Sequence, residues 1–258
     1  MTASVDGVRL DREGDLATLT LDRPDRRNAQ TPSTWLRLAE IGRDLLTSGA
    51  RVVILRAAGP SFSAGLDRAM LTPEGIPGEP TFVELAGLAP AALDGAIATY
   101  QEAFSWWRDE RVVSIAAVQG HAIGAGFQLA LACDMRVLAD DARLSMREPS
   151  LGLVPDLGGT QPLVELVGYP RALEICATGR EVVAAEAAQI GLAELVVPAA
   201  DLDGAVRDLC AAILAAPADA VRETKALLRS ASSRGYDEQR AAERAAQGRR
   251  LRALVGRG

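Results

Sequence analysis

Two glycine-bearing turns, each following an apolar run of strand type, are the places where the backbone of this chain can do chemistry. The first, Gly59-Pro-Ser61-Phe-Ser63-Ala64-Gly65-Leu66-Asp67, follows Val-Val-Ile-Leu-Arg-Ala at 52–57. The second, Gly120-His121-Ala-Ile-Gly124-Ala125-Gly126-Phe-Gln128-Leu129, follows Val-Ser-Ile-Ala-Ala-Val at 113–118 and opens a helical pattern. Glycine lets backbone approach a ligand closely. The amides of a first helical turn point outward, where the helix dipole favours negative charge. Each turn alone also fits ordinary strand-to-helix packing, but together they can aim two amides at one carbonyl oxygen. Two other chemistries fail on particular residues. A dinucleotide fingerprint needs a third glycine where Leu129 stands, and Gly59-x-Ser61-x-Ser63 lacks the last glycine of a nucleophile elbow.

The side-chain inventory narrows the chemistry further. His121 is the single histidine, which excludes His-rich zinc sites and any mechanism needing two imidazoles. Cys133, Cys176 and Cys210 are widely spaced with no C-x-x-C pair, so they read as buried small hydrophobes in a reducing cytoplasm, and no metal site is expected. Lys225 is the sole lysine, so an anionic ligand should meet arginines or backbone amides. A net charge of -6 removes the basic field of a dedicated nucleic-acid binder, while 258 residues at 48% hydrophobic are enough for a large core. Residues 1–10 show neither a basic n-region nor an apolar h-region, so no signal peptide is expected and the location should be cytoplasmic. The 22 residues between Arg111 and Asp134 carry no formal charge and are long enough to span a bilayer. Gln119, His121, Gln128 and the central glycines favour a buried strand, a glycine loop and a buried helix instead, so no membrane association is expected.

The elements that must position these turns are largely readable. Runs at 16–21, 52–57, 113–118 and 135–139 are predicted strands. Thr31-Pro32 predicts the cap and first residue of a helix over 32–47, where Trp35, Leu38, Ile41 and Leu45 recur at helical spacing. Strands alternating with helices indicate an α/β fold. Residues 72–90, rich in Pro and Gly, predict a mobile loop beside a ligand, followed by a helix over 91–107. Helices are predicted over 202–215, 218–230 and 237–254, which divides the chain into a core at 1–200 and a helical region at 201–258.

Several linked motifs carry a resemblance. These are Leu21-Asp-Arg-Pro-Asp-Arg-Arg-Asn28-Ala29, Phe62-Ser-Ala-Gly-Leu-Asp67, Ala117-Val-Gln-Gly-His-Ala-Ile-Gly-Ala-Gly126, Cys133-Asp134-Met-Arg136, and Glu148 through Gly158-Gly-Thr-Gln161. In that order they resemble the crotonase (enoyl-CoA hydratase/isomerase) superfamily from about residue 5 to 254. The resemblance implies a spiral of ββα units with a C-terminal helical region that forms trimers, often hexamers. It also implies an acyl-coenzyme A thioester as substrate, with no cofactor beyond the coenzyme A that the substrate carries. By carry-over the oxyanion hole would be the amides of Leu66 and Ala125. Ala29, Ala64, Gly65, Asp67 and Gly124 would line the substrate site, and Arg26 and Arg27, with Arg23, would sit near the nucleotide phosphates.

The carboxylates depart from the hydratase pattern. Where hydratases of the superfamily carry a glutamate two residues after the G-x-G turn, this chain has Gln128, whereas Glu148 matches the second glutamate. An amide has no basic lone pair near neutral pH, so two-carboxylate hydration is disfavoured. Glu148 alone suffices to move a proton from C2 to C4 of a 3-enoyl thioester. Asp156 falls where dienoyl-CoA isomerases of the superfamily have an aspartate, and it reads equally as a carboxylate ahead of a helix over 158–167. The expectation is therefore an isomerase. The alternatives are a hydratase using Glu148 alone and a non-catalytic acyl-CoA-binding module.

Overall fold

The computed structural model describes residues 3–256, so the first two positions of the expected 1–200 core and the last two of the expected 201–258 helical region lie outside the described residues. Its centre is a six-stranded sheet in the order β1 (Val8–Glu13), β2 (Leu16–Leu21), β3 (Val52–Ala57), β4 (Val113–Val118), β6 (Met135–Ala139) and β9 (Leu195–Val197). Only β1 and β2 pair antiparallel; the other pairs are parallel. A second, three-stranded sheet joins β5 (His121–Ile123), β7 (Arg143–Ser145) and β8 (Val182–Val183).

Strands buried on both faces should be almost uninterrupted apolar runs, and β3 and β4 are. Alternate residues serve opposite faces. Val53 and Leu55 face a cluster built with Trp35, Leu38, Ile41 and Leu45 of α1 (Pro32–Thr47), while Val52, Ile54 and Ile115 face Leu202, Val206 and Cys210 of α8 (Leu202–Ala215). The start of α1 is set as its sequence dictates: Thr31 is extended, its hydroxyl accepts from Thr34 N, and Pro32 follows. The uncharged segment folds as β4, β5 and α4 (Ala125–Ala132), with all eight residues of α4 buried. Among the described residues no helix is long and apolar enough to cross a membrane, and no group of three His, Cys, Asp or Glu could hold a metal ion.

Three expectations are corrected. Residues 72–90, expected as a mobile loop beside a ligand, contain a short helix, α2 (Phe82–Ala86). There the Thr81 hydroxyl accepts from Glu84 N while the Glu84 carboxylate accepts from Thr81 N. The helix after it, α3 (Pro90–Ser105), starts one residue earlier than its pattern suggests and gives way to a 3-10 turn at Trp106–Arg108. Cys176, in α6 (Tyr169–Thr178), is only half-buried, unlike Cys133 and Cys210.

The tail comprises α8, α9 (Ala218–Ser230) and α10 (Tyr236–Val255), following α5 (Thr160–Val167), α6 and α7 (Ala184–Gln189). Lys225 anchors α9 to the core, its ammonium donating to Val112 O at 2.5 Å and to Asp134 Oδ2 at 2.6 Å.

Candidate active site

The two glycine turns meet. Ser63 N donates to His121 O and Ile123 N to Ser63 O, so the loop after β3 is zipped to β5. Gly65 has φ +82° and lies so close to Ile123 O that a Cβ could not fit; that Cβ would stand 3.5 Å from the Ala125 amide nitrogen. Gly126 is pressed equally hard against Ser63, with a notional Cβ 2.7 Å from the Ser63 Cβ. Glycine at both places is therefore a steric requirement of the approach. Ala125 is the first residue of α4 and so has no intrahelical acceptor for its N–H, and Leu66 N finds no protein acceptor among the described residues.

A buried polar brace supports the first turn, and sequence reasoning missed it. The Gln30 carboxamide accepts from Trp35 Nε1 at 2.8 Å and donates to Ser63 Oγ at 3.0 Å; Ser63 Oγ in turn donates to Asn28 O and accepts from Gly65 N. Gln30 N also donates to Gly65 O, and Asp67 N to Gln30 O. Arg27 and Asn28 lie consecutively in the left-handed region, with φ of 50° and 53°. The Asn28 amide donates to Ala58 O and Ser61 O and so secures the bend. The motif ending Arg27-Asn28-Ala29 was readable, but Gln30 beside it and the job of both in holding the neighbouring loop were not.

The carboxylates sit on the other side of Gly124. Glu148 begins a 3-10 turn, Glu148–Leu151, and its Oε1 lies 3.1 Å from where a Gly124 Cβ would be. Gln128, 1% exposed, donates from Nε2 to Glu148 Oε1 at 2.7 Å. Its own Oε1 accepts from Leu157 N at 3.0 Å and Gly159 N at 3.3 Å. Glu148 Oε2 is buried and has no partner among the described residues. Burial raises the Glu148 carboxyl above the ordinary glutamate range; the backbone amide of Glu148, the Gln128 hydrogen bond and the Arg147 amide oppose that, and nearby Asp156 adds to it. Asp156 opens onto the same cavity, its carboxyl raised by the surrounding protein, and its backbone carbonyl accepts from Gln101 Nε2.

All twelve expected site residues, Glu148, Asp156, Gln128, Leu66, Ala125, Arg26, Arg27, Ala29, Ala64, Gly65, Asp67 and Gly124, line one cavity of about 1070 Å³. Arg26 and Arg27 are exposed at its wall with Arg68 and Arg147. Arg23, expected beside them, is occupied elsewhere: it pairs with Asp67 Oδ2 at 3.1 Å and donates to Ala29 O at 2.6 Å, tying the two loops together. Asp67 is thus 7% exposed and also caps the 3-10 turn Arg68–Leu71. An apolar wall that the sequence left unassigned comes from Trp35, Met70, Phe82, Leu85, Ile97 and Tyr100, with Trp35 and Tyr100 in ring contact at 5.3 Å.

The α/β core with its C-terminal helical region has the crotonase fold. The chain belongs to the enoyl-CoA hydratase/isomerase family, whose family model matches residues 11–252. The short-chain-enoyl-CoA hydratase of Clostridium acetobutylicum is 33% identical over 234 residues, 86% of this chain and 80% of that protein. A Thermobifida fusca protein solved in complex with acetoacetyl-CoA is 54% identical, covers 96% of each chain and superposes with a TM-score of 0.92. A Thermobifida fusca protein solved in complex with CoA is 52% identical, covers 97% of this chain and 95% of that one, and has a TM-score of 0.92.

Proposed function

We propose that this enzyme shifts the double bond of an enoyl-CoA in preference to hydrating it. The Leu66 and Ala125 N–H groups receive the thioester oxygen, and Glu148 removes a proton from C2 of a 3-enoyl thioester. The electron pair moves onto that oxygen as an enolate, and the proton returns from Glu148 to C4, leaving the conjugated 2-enoyl thioester. One such backbone donor typically accelerates a reaction about 100- to 1000-fold. The observation that supports isomerisation is the Gln128–Glu148 hydrogen bond: the group beside Glu148 is an amide, which donates a hydrogen bond to the base and cannot itself activate water. Asp156, on the same cavity, suits the more distant proton of a dienoyl substrate. The chemistry calls for no cofactor beyond the coenzyme A of the substrate.

The test follows the ultraviolet band of the conjugated thioester. The wild type should generate that band from a 3-enoyl-CoA faster than it bleaches it from a 2-enoyl-CoA. Faster bleaching would mark a hydratase working with Glu148 alone, and stabilisation by acyl-CoA without turnover would mark a binding module.

The proposal includes a trimer or a dimer of trimers, because Leu228, Tyr236, Leu254 and Val255 of α9 and α10 are more than 60% exposed. A monomer by light scattering at micromolar concentration would contradict it. Three free cysteines support a reducing compartment, the cytoplasm, as the proposed location.

A further inference from the structure

Gln128 is more than a missing acid. Two backbone N–H groups, from Leu157 and Gly159, converge on its Oε1, and only a carbonyl oxygen can accept both, so its NH₂ group is forced toward Glu148. Rotation of the carboxamide would set NH₂ against two N–H donors. The surroundings leave little room to move: a Cβ at Gly159 would stand 2.7 Å from Gln128 Cγ, and α4 is buried throughout. The consequence falls on Glu148, whose two oxygens become unlike. Oε1 is held by the amide at 2.7 Å, and Oε2 is buried without a protein partner.

We propose that Gln128 is a positioning residue that grips Glu148 by Oε1, fixes its rotamer, and leaves Oε2 as the one oxygen that takes up and returns the substrate proton. This rests on the reading of Glu148 as the base. The grip favours the ionised base, because a hydrogen bond to the charged form opposes the effect of burial. The other titratable groups around Glu148 are Asp156 and, from α6, Cys176, with Arg147, His121 and Glu181 on the same cavity wall.

Infrared difference spectroscopy against pH reads the Glu148 proton whether or not any substrate turns over, using the carboxylic acid C=O band that Glu148→Gln removes. Gln128→Met should move that titration up by about one to two pH units, the worth of a hydrogen bond to a charged group. In the same variant the acid limb of the pH–rate profile should follow, with kcat reduced more than tenfold and KM changed far less. Gln128→Glu keeps an oxygen for the Leu157 and Gly159 amides, so it guards against a misfolded Gln128→Met. Its two carboxyl groups must share one proton, and the band should titrate in two separated steps. A Glu148 titration that stays in place in both variants overturns the positioning role. Absence of turnover by the wild type, with the titration moving as stated, would overturn the isomerase reading and with it the proton transfer at Oε2, and leave the grip of Gln128 on Glu148 standing.

Discussion

The two ends of α4 hold two carboxylates treated in opposite ways. Beyond its C-terminal end, Asp134 Oδ2 accepts from Ser114 N at 2.8 Å, from Ser114 Oγ at 3.1 Å and from Lys225 Nζ at 2.6 Å. At its N-terminal end, Glu148 has one side-chain donor, Gln128, and one oxygen, Oε2, with no partner within hydrogen-bond distance among the described residues. Both carboxylates are largely enclosed, yet only one is satisfied. A buried charge with a full complement of donors ties elements together, here β4, the α4–β6 turn and α9. A buried charge left short of donors retains the basicity that a proton acceptor needs.

The comparison breaks first at Glu148. Glu148→Gln should reduce turnover by about 10³-fold, within the usual range for loss of a general base, in the ultraviolet assay. It should leave the melting temperature at pH 7 equal to or above that of the wild type. The sign follows from the raised carboxyl. Between the unfolded and folded pKa values the native state binds more protons, so stability falls as pH rises through that window, and above it the ionised group is a net cost that Gln does not carry. A marked drop in melting temperature would place Glu148 with Asp134 as a structural charge.

Lys225→Met should do the reverse. It leaves Asp134 without its cation, and breaking such an enclosed pair typically costs about 3–5 kcal/mol of stability, read by denaturant unfolding. The kcat of the protein that remains folded should change little. Loss of turnover without loss of stability would refute the contrast from the other end. The smallest effect belongs to Asp156→Asn, which should slow simple 3-enoyl shifts less than about threefold while slowing dienoyl shifts by tenfold or more, within the usual reach of one proton-transfer group. Equal slowing of both would remove Asp156 from the distant proton transfer.

Local signals account for what was legible. Thr31-Pro32 followed by apolar residues at helical spacing marks α1 to the residue, and short, mostly apolar runs rich in Val and Ile mark β3 and β4. The glycine turns were legible because backbone chemistry writes itself in glycine. What escaped depends on side chains meeting across the fold. Gln30 reaches Ser63 33 residues away, and Gln128 reaches Glu148 20 residues away, with no periodicity to announce either contact. Arg23 was legible as a charge, but its pairing with Asp67, 44 residues on, was not. At five residues, α2 is too short for periodicity to register, although Thr81 and Glu84 carried a capping signal.

Strands β3 and β4 are direct neighbours in parallel register, from Val52 with Val113 to Leu55 with Ala116, although everything from the Gly65 turn through α3 lies between them in the chain. That crossover supplies Met70, Phe82, Leu85, Ile97 and Tyr100 to the apolar wall, whereas Glu148 and Gln128 come from later segments. α3 is fixed to the core through Ala103 and Phe104, but residues 72–81, between the Arg68–Leu71 turn and α2, carry no helix or strand, and doubling a flexible loop adds only about 0.6 kcal/mol of closure entropy, so that stretch can change length at little cost. A change of length there would re-seat Phe82 and Leu85 in the apolar wall without touching the contact between Gln128 and Glu148.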